Sequence, residues 1–323
     1  MGDEPMKAQA AARDATSGDT AERHAASGET TATRRRSMAT LVQPVSRFLT
    51  VNGLRVHYLD WGDASAPPVV CVHGYTSSAQ AFNAPARRFQ DRFHLIAPDV
   101  RGHGESAWSP AGEYQYRDQA GDLAALVDQL GLSRFTLVGT SMGGVIAMAY
   151  AADHGDRLRG LVLNDIGPDV EGGSQRITQM VGSRPEEFAS LDHAMAYRRE
   201  VSPIVAGRNV EDQRELALGV LRQRPDGRWI WKMDPAYIRQ RVERGAPARP
   251  PLWPVLERLA CPTLVVWGTE SDVLSEAQAR RMVKTLPHGE LVAVPGVGHA
   301  PTLVEPVALE ALERFFKRVA GRA

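Results

Sequence analysis

The stretch Phe135-Thr136-Leu137-Val138-Gly139-Thr140-Ser141-Met142-Gly143-Gly144 decides the fold. Phe135–Val138 is a short apolar run of strand character, and a buried helix is expected to begin at Met142. Between them a serine has glycine two residues before it and two residues after it. A chain that turns from strand to helix this sharply leaves no room for side chains at Gly139 and Gly143, and it thrusts the serine hydroxyl clear of the backbone. The unpaired N–H groups at the start of the helix also favour negative charge developing beside that hydroxyl.

On both sides of this turn the pattern alternates. Expected strands lie at Phe48–Val51, Leu54–Leu59, Val69–Val72, Phe93–Ala97 and Leu158–Leu163, with the first two joined across Asn52-Gly53, a strong hairpin signal. Helices are expected near Ala79–Phe89 and over Tyr116–Leu130, where Ala120, Leu123, Leu126, Val127 and Leu130 share a face and Gly131 ends the run. The alternation resumes with a strand at Thr263–Trp267, a helix at Ser275–Leu286, a strand at Leu291–Val294 and a helix at Val304–Val319. Eight strands alternating with helices predict an α/β architecture: a doubly wound, mostly parallel eight-stranded sheet. Residues 167–254 interrupt the series after the sixth strand. They are rich in Arg, Pro and aromatics, carry no clear strand run and are too long for a loop, so they predict a helical cap. The core then comprises residues 46–166 and 255–323.

Composition narrows the function classes. Lys and Arg number 38 against 38 Asp and Glu, so no global field draws the chain to nucleic acid or an anionic membrane. No apolar run reaches the roughly 18 residues of a membrane span. Cys71 and Cys261 sit in or beside apolar runs and read as small buried hydrophobes in a reducing, cytoplasmic setting. Residues 1–45 lack hydrophobic periodicity and read as a disordered tail, with a start at Met38 as the alternative. Arg34-Arg35-Arg36 invites a twin-arginine export reading, but Gln43-Pro44 breaks the apolar stretch that such a signal needs.

A serine alone is a weak nucleophile and needs a base oriented by a third group. Among nine histidines, His299 stands in Gly296-Val297-Gly298-His299-Ala300-Pro301, just after the last strand. His73 and His103 are its rivals, and His73 reads better as a residue that pins its loop. For the acid we assign Asp272, in the loop Gly268-Thr269-Glu270-Ser271-Asp272 after the seventh strand; Glu270 and Asp165 are the alternatives, the latter reaching the same histidine from the neighbouring strand. Backbone N–H groups of Met142 and of Tyr75, in His73-Gly74-Tyr75-Thr76, are the expected oxyanion donors. No metal or organic cofactor is implied.

Together these residues resemble the α/β-hydrolase superfamily, in the chain order Ser141, Asp272, His299. Asp99-Val100-Arg101-Gly102-His103-Gly104-Glu105-Ser106 further resembles the D-x-R-G-x-G-x-S loop of its esterase, lactonase and meta-cleavage-product hydrolase branches, where the loop is structural. The resemblance covers about residues 47–320. It implies a serine hydrolase of a small-molecule ester or lactone, with a carbon–carbon bond hydrolase as the alternative. A cofactor-free perhydrolase or oxygenase and a non-catalytic small-molecule receptor are further alternatives on the same fold. Ser141 argues against the dehalogenases and epoxide hydrolases of this fold, which carry Asp at the turn. Trp108, Trp229, Trp231 and Tyr237 are the expected pocket walls. Arg198, Arg199, Arg222, Arg224, Arg239 and Arg241 read as a solvated face, with carboxylate binding as the alternative.

Overall fold

Asn52 and Gly53 both take positive φ, 50° and 79°, and close the hairpin between β1 (Val45–Val51) and β2 (Leu54–Trp61). A two-residue turn of that hand matches the right-handed twist of the strands it joins. The computed structural model describes residues 43–169 and 172–321. Residues 1–42 of the tail reading, with the arginine run, fall outside the described residues, and Val45, the last residue of that reading, instead opens β1.

Four strands follow before the interruption: β3 (Pro68–Val72), β4 (His94–Pro98), β5 (Phe135–Thr140) and β6 (Leu158–Asn164). Three short strands belong to the insert: β7 (Glu187–Phe188), β8 (Leu221–Gln223) and β9 (Trp229–Trp231). Two more, β10 (Thr263–Gly268) and β11 (Gly289–Val294), complete the main sheet, whose order is β1-β2-β4-β3-β5-β6-β10-β11. Only the β1–β2 and β2–β4 pairings are antiparallel. The central strands are buried on both faces, which is why β3 reads as an unbroken apolar run.

Two cores cover the two faces of this sheet. One gathers Leu123, Leu126 and Val127 with Val145, Ile146 and Met148, from the helices Tyr116–Gln129 and Met142–His154. The other packs Phe82 and Phe89 against Phe315, Phe316 and Val319 of the helix Pro306–Ala320. Helices on both faces bring the carboxyl ends of the parallel strands to one edge, the usual place for a site in an open α/β sheet.

The stretch between β6 and β10 corrects the expectation of a purely helical insert. Its helices surround a three-stranded antiparallel sheet in the order β7-β9-β8. Strands of two or three residues are too short for a period-two pattern to show in the sequence. The insert has its own small core, in which Phe188, Ala194, Ala217 and Leu221 are buried and Trp229 and Trp231 pack against them. Cys71 and Cys261 are both buried and free. No helix among the described residues is long and apolar enough to cross a membrane.

Candidate active site

Ser141 stands at the end of β5 with φ 53° and ψ −119°, a conformation that costs a non-glycine residue about 1–3 kcal/mol. Its surroundings hold it there. A Cβ on Gly139 would lie 2.5 Å from the Gly143 carbonyl oxygen, and one on Gly143 would collide with the Val72 carbonyl oxygen. The Ser141 amide donates to Asn164 O at 3.0 Å, tying the turn to the end of β6.

His299 reaches this serine from the loop after β11. Its Nε2 lies 2.7 Å from Ser141 Oγ, and its Nδ1 lies 2.8 Å from Asp165 Oδ2. A carboxylate only accepts, so Nδ1 carries the ring proton and Nε2 is left to accept from the serine hydroxyl. Asp165 is fully buried, yet its carboxylate is well supplied. Oδ1 accepts from the Gly268 amide at 3.0 Å, and Oδ2 accepts from the Ser271 hydroxyl at 2.7 Å.

Asp272, the acid assigned from the sequence, does not occupy this position. Its side chain is 42% exposed and faces Arg176 of the insert, with Nη2 2.9 Å from Oδ1. That guanidinium holds the Asp272 carboxyl below the usual carboxylate range. The reason is topological. Asp165 follows β6, which lies between β5 and β10 and so beside the serine, whereas Asp272 lies four residues beyond β10, where the chain has turned outward. Glu270, the other rival acid, has its amide hydrogen-bonded to Val297 O at 3.0 Å and so braces the histidine loop by its backbone.

The loop after β3 runs directly alongside the serine: a Cβ on Gly74 would sit 3.4 Å from Ser141 Cβ and 3.9 Å from Oγ. Tyr75, next in this loop, and Met142, the first residue of the helix, line the same cavity as Ser141. His73 Nδ1 donates to Gly74 O at 2.8 Å, and its Nε2 accepts from the Val100 amide at 3.0 Å. Burial lowers its pKa, in keeping with a neutral ring. His103, buried and pulled down to about 4, contacts the Tyr75 carbonyl oxygen through Nε2. Both histidines thus pin the loop.

Asn164, which begins the run Asn164-Asp165-Ile166-Gly167-Pro168, has a bracing role that the sequence did not assign to it. Fully buried, it donates from Nδ2 to Pro301 O at 2.8 Å and to Thr140 Oγ1 at 3.1 Å, and so fastens the loop carrying His299 to the end of β5. Its only local signal is its place, last in a strand and directly before Asp165.

The cavity over Ser141 has a volume of about 40 Å³. Its walls include Tyr75, Met142, Val145, Ile166, Ile177 and Val273, with Arg241 and Arg249 at one side. The four aromatics expected as walls lie elsewhere. Trp108 is 39% exposed and donates its indole N–H to Lys232 O at 2.8 Å. Trp229 and Trp231 fill the insert's own core, the latter 5.5 Å from Phe188. Tyr237 stands behind the cavity: it stacks on Tyr114 at 4.3 Å, meets Tyr75 edge-on at 5.1 Å, and its hydroxyl lies 3.5 Å from Met142 Sδ. Large rings fill cores before they line openings, and their spacing in the sequence does not tell the two apart.

Arg241 also departs from the solvated face expected of it. It is 6% exposed, and its guanidinium lies over the Tyr75 ring at 4.6 Å.

Comparison with known proteins agrees with this architecture. The sequence profile of the alpha/beta hydrolase fold matches residues 67–306. A 3-hydroxybutyrate-oligomer hydrolase of Cupriavidus necator is 33% identical over 272 residues, which cover 81% of this chain and 92% of that protein. The crystal structure of an alpha/beta hydrolase from Novosphingobium aromaticivorans superposes with a TM-score of 0.76 at 35% identity, covering 85% of this chain and 99% of that one. That of E-2-(acetamidomethylene)succinate hydrolase superposes with the same score, 0.76, at 28% identity, over 85% of this chain and 99% of that one. The chain belongs to the α/β-hydrolase fold family, and it is an enzyme.

Proposed function

We propose that this hydrolase cleaves small carboxylic esters or lactones through an acyl-enzyme on Ser141, with His299 as general base and acid and Asp165 as its orienting carboxylate. The observation that carries the reading is the single imidazole held between Ser141 Oγ at 2.7 Å and Asp165 Oδ2 at 2.8 Å. Both distances are within reach for proton transfer.

In the first step His299 Nε2 takes the hydroxyl proton as Oγ bonds to the substrate carbonyl carbon. The negative charge that moves onto the carbonyl oxygen is met by the Tyr75 and Met142 amides. When the C–O bond to the leaving alcohol breaks, His299 returns the proton to the alcohol oxygen. Water then repeats the sequence against the acyl group, releasing the acid and restoring Ser141. Asp165 fixes the tautomer and stabilises the imidazolium, and its other hydrogen bonds, to Gly268 and Ser271, keep it in place.

The relative named as an oligomer hydrolase supports esters of hydroxy acids as the substrate class, since such oligomers are joined by ester bonds. The insert covers the serine and sets the size of the group that can enter. The experiment is a time course of p-nitrophenyl acetate, butyrate and octanoate hydrolysis by the wild type and Ser141→Ala, with fluorophosphonate labelling. Ser141-dependent turnover and labelling, falling off with chain length, is the expected result. Labelling without turnover moves the substrate to another acyl class. Absence of both withdraws the mechanism.

A further inference from the structure

Beside the serine, two arginines share one wall of the cavity, and their described hydrogen bonds run to neutral oxygens. Arg241 Nε donates to Thr178 Oγ1 at 3.2 Å, and its Nη2 donates to Ser174 O at 3.1 Å and to Ser174 Oγ at 3.3 Å. Arg249 Nη1 donates to the backbone carbonyls of Gly167, Pro168 and Asp169 at 2.5, 3.2 and 2.8 Å. Asp169, the acid beside Arg249, has Oδ1 taken by Trp253 Nε1 at 2.8 Å, and Arg281 lies 3.6 Å from its Oδ2. Among the described residues neither guanidinium stands in an ion pair, while the other arginines of the insert that face a carboxylate, Arg176, Arg224 and Arg228, are about half exposed.

Charge withdrawn from water without a counter-ion is costly, and proteins keep it where a ligand supplies the missing charge. Burial draws the Arg249 pKa below its ordinary value, and the neighbouring Arg241 charge adds to this, while Tyr116 and the Asp169 carboxylate act the other way without cancelling it. An arriving anion relieves both effects. Arg241 lies over the Tyr75 ring, with Ser174 fixing one edge of its fork, so its guanidinium is held in place for a planar acceptor.

We propose that Arg241 and Arg249 bind a free carboxylate of the substrate, so that the esters opened at Ser141 belong to small acids carrying a second, ionised carboxyl a few bonds from the scissile carbonyl. This rests on the ester-hydrolase reading of Ser141.

The test pairs monomethyl succinate with methyl levulinate, an ester of the same shape in which a methyl ketone replaces the carboxylate, using a pH-stat with wild type, Arg241→Met and Arg249→Met. Charge-assisted hydrogen bonds of this kind predict kcat/KM for the anion at least about tenfold above that for the ketone in the wild type. Within each variant that ratio falls toward one. A wild-type ratio of one or below, with Ser141-dependent turnover and fluorophosphonate labelling intact, overturns the carboxylate site and leaves the hydrolase reading standing. If either variant does not fold, the wild-type ratio still decides. If neither ester is turned over and Ser141 is not labelled, the hydrolase reading has failed instead. Calorimetric titration with sodium succinate then decides the anion site: saturable binding to the wild type supports it, and no heat overturns it.

Discussion

Replacing Asp165 by Asn tests the placement of the acid more sharply than any other single change. The Asn side chain has nearly the same shape, and its oxygen can still accept from the Gly268 amide at the 3.0 Å position. Its NH2 group then faces Ser271 and His299 Nδ1, where a carboxylate oxygen now lies 2.7 and 2.8 Å away. A donor there repels the Nδ1 proton. The ring moves its proton to Nε2, which can no longer accept from Ser141. In serine triads this tautomer error costs about 10⁴ in kcat, or about 5 kcal/mol of transition-state stabilisation. Asp272→Asn removes only one side of a half-exposed ion pair with Arg176, a change of about 0–1 kcal/mol in stability, and kcat is expected to stay within about threefold. Steady-state hydrolysis of p-nitrophenyl butyrate, with urea melts to confirm folding, compares the two. A loss of two decades or more in Asp272→Asn, with Asp165→Asn close to wild type, would refute the assignment.

Two further outcomes follow from packing and burial. Gly143→Ala places a methyl against the Val72 carbonyl oxygen and 2.8 Å from that of His73, and it is expected to lower stability by about 3 kcal/mol in urea melts and to cost most of the activity; an unchanged midpoint refutes the close approach. His103 has a pKa near 4 in the folded chain against an ordinary 6.5, so the neutral ring favours folding fully above pH 6.5 and that contribution, about 3 kcal/mol, is lost as pH falls from 6.5 through 4. Urea melts between pH 7 and 4.5 should therefore show a steeper decline for the wild type than for His103→Gln, and equal slopes count against the buried neutral histidine.

The sheet was legible because each of its strands carries its own evidence. Asn52-Gly53 announces a hairpin, and the two glycines around Ser141 announce the turn, since both are backbone conformations that few residues adopt. The three short strands of the insert carried no such evidence. Within them Trp229 and Trp231 suggest a pocket by their chemistry, and only their contacts with Phe188 and its neighbours show them filling a core.

The sequence by itself determined the parts of the site that depend on local geometry. Ser141 is marked by the glycines its turn requires, His299 by a loop that follows a strand, and the Gly74–Tyr75 loop by its place after β3. Tertiary structure alone decided which acid meets the histidine and which arginines line the cavity. Asp165 and Asp272 follow adjacent strands, the sequence favoured Asp272, and the choice of Asp165 turns on β6 lying beside β5 and on Arg176 reaching Asp272 from the insert. Arg241 and Arg249 look like any other charged residues in a polar stretch. Their character comes from being folded over a cavity with no ion pair of their own among the described residues, and a position of that kind is set by distant parts of the chain.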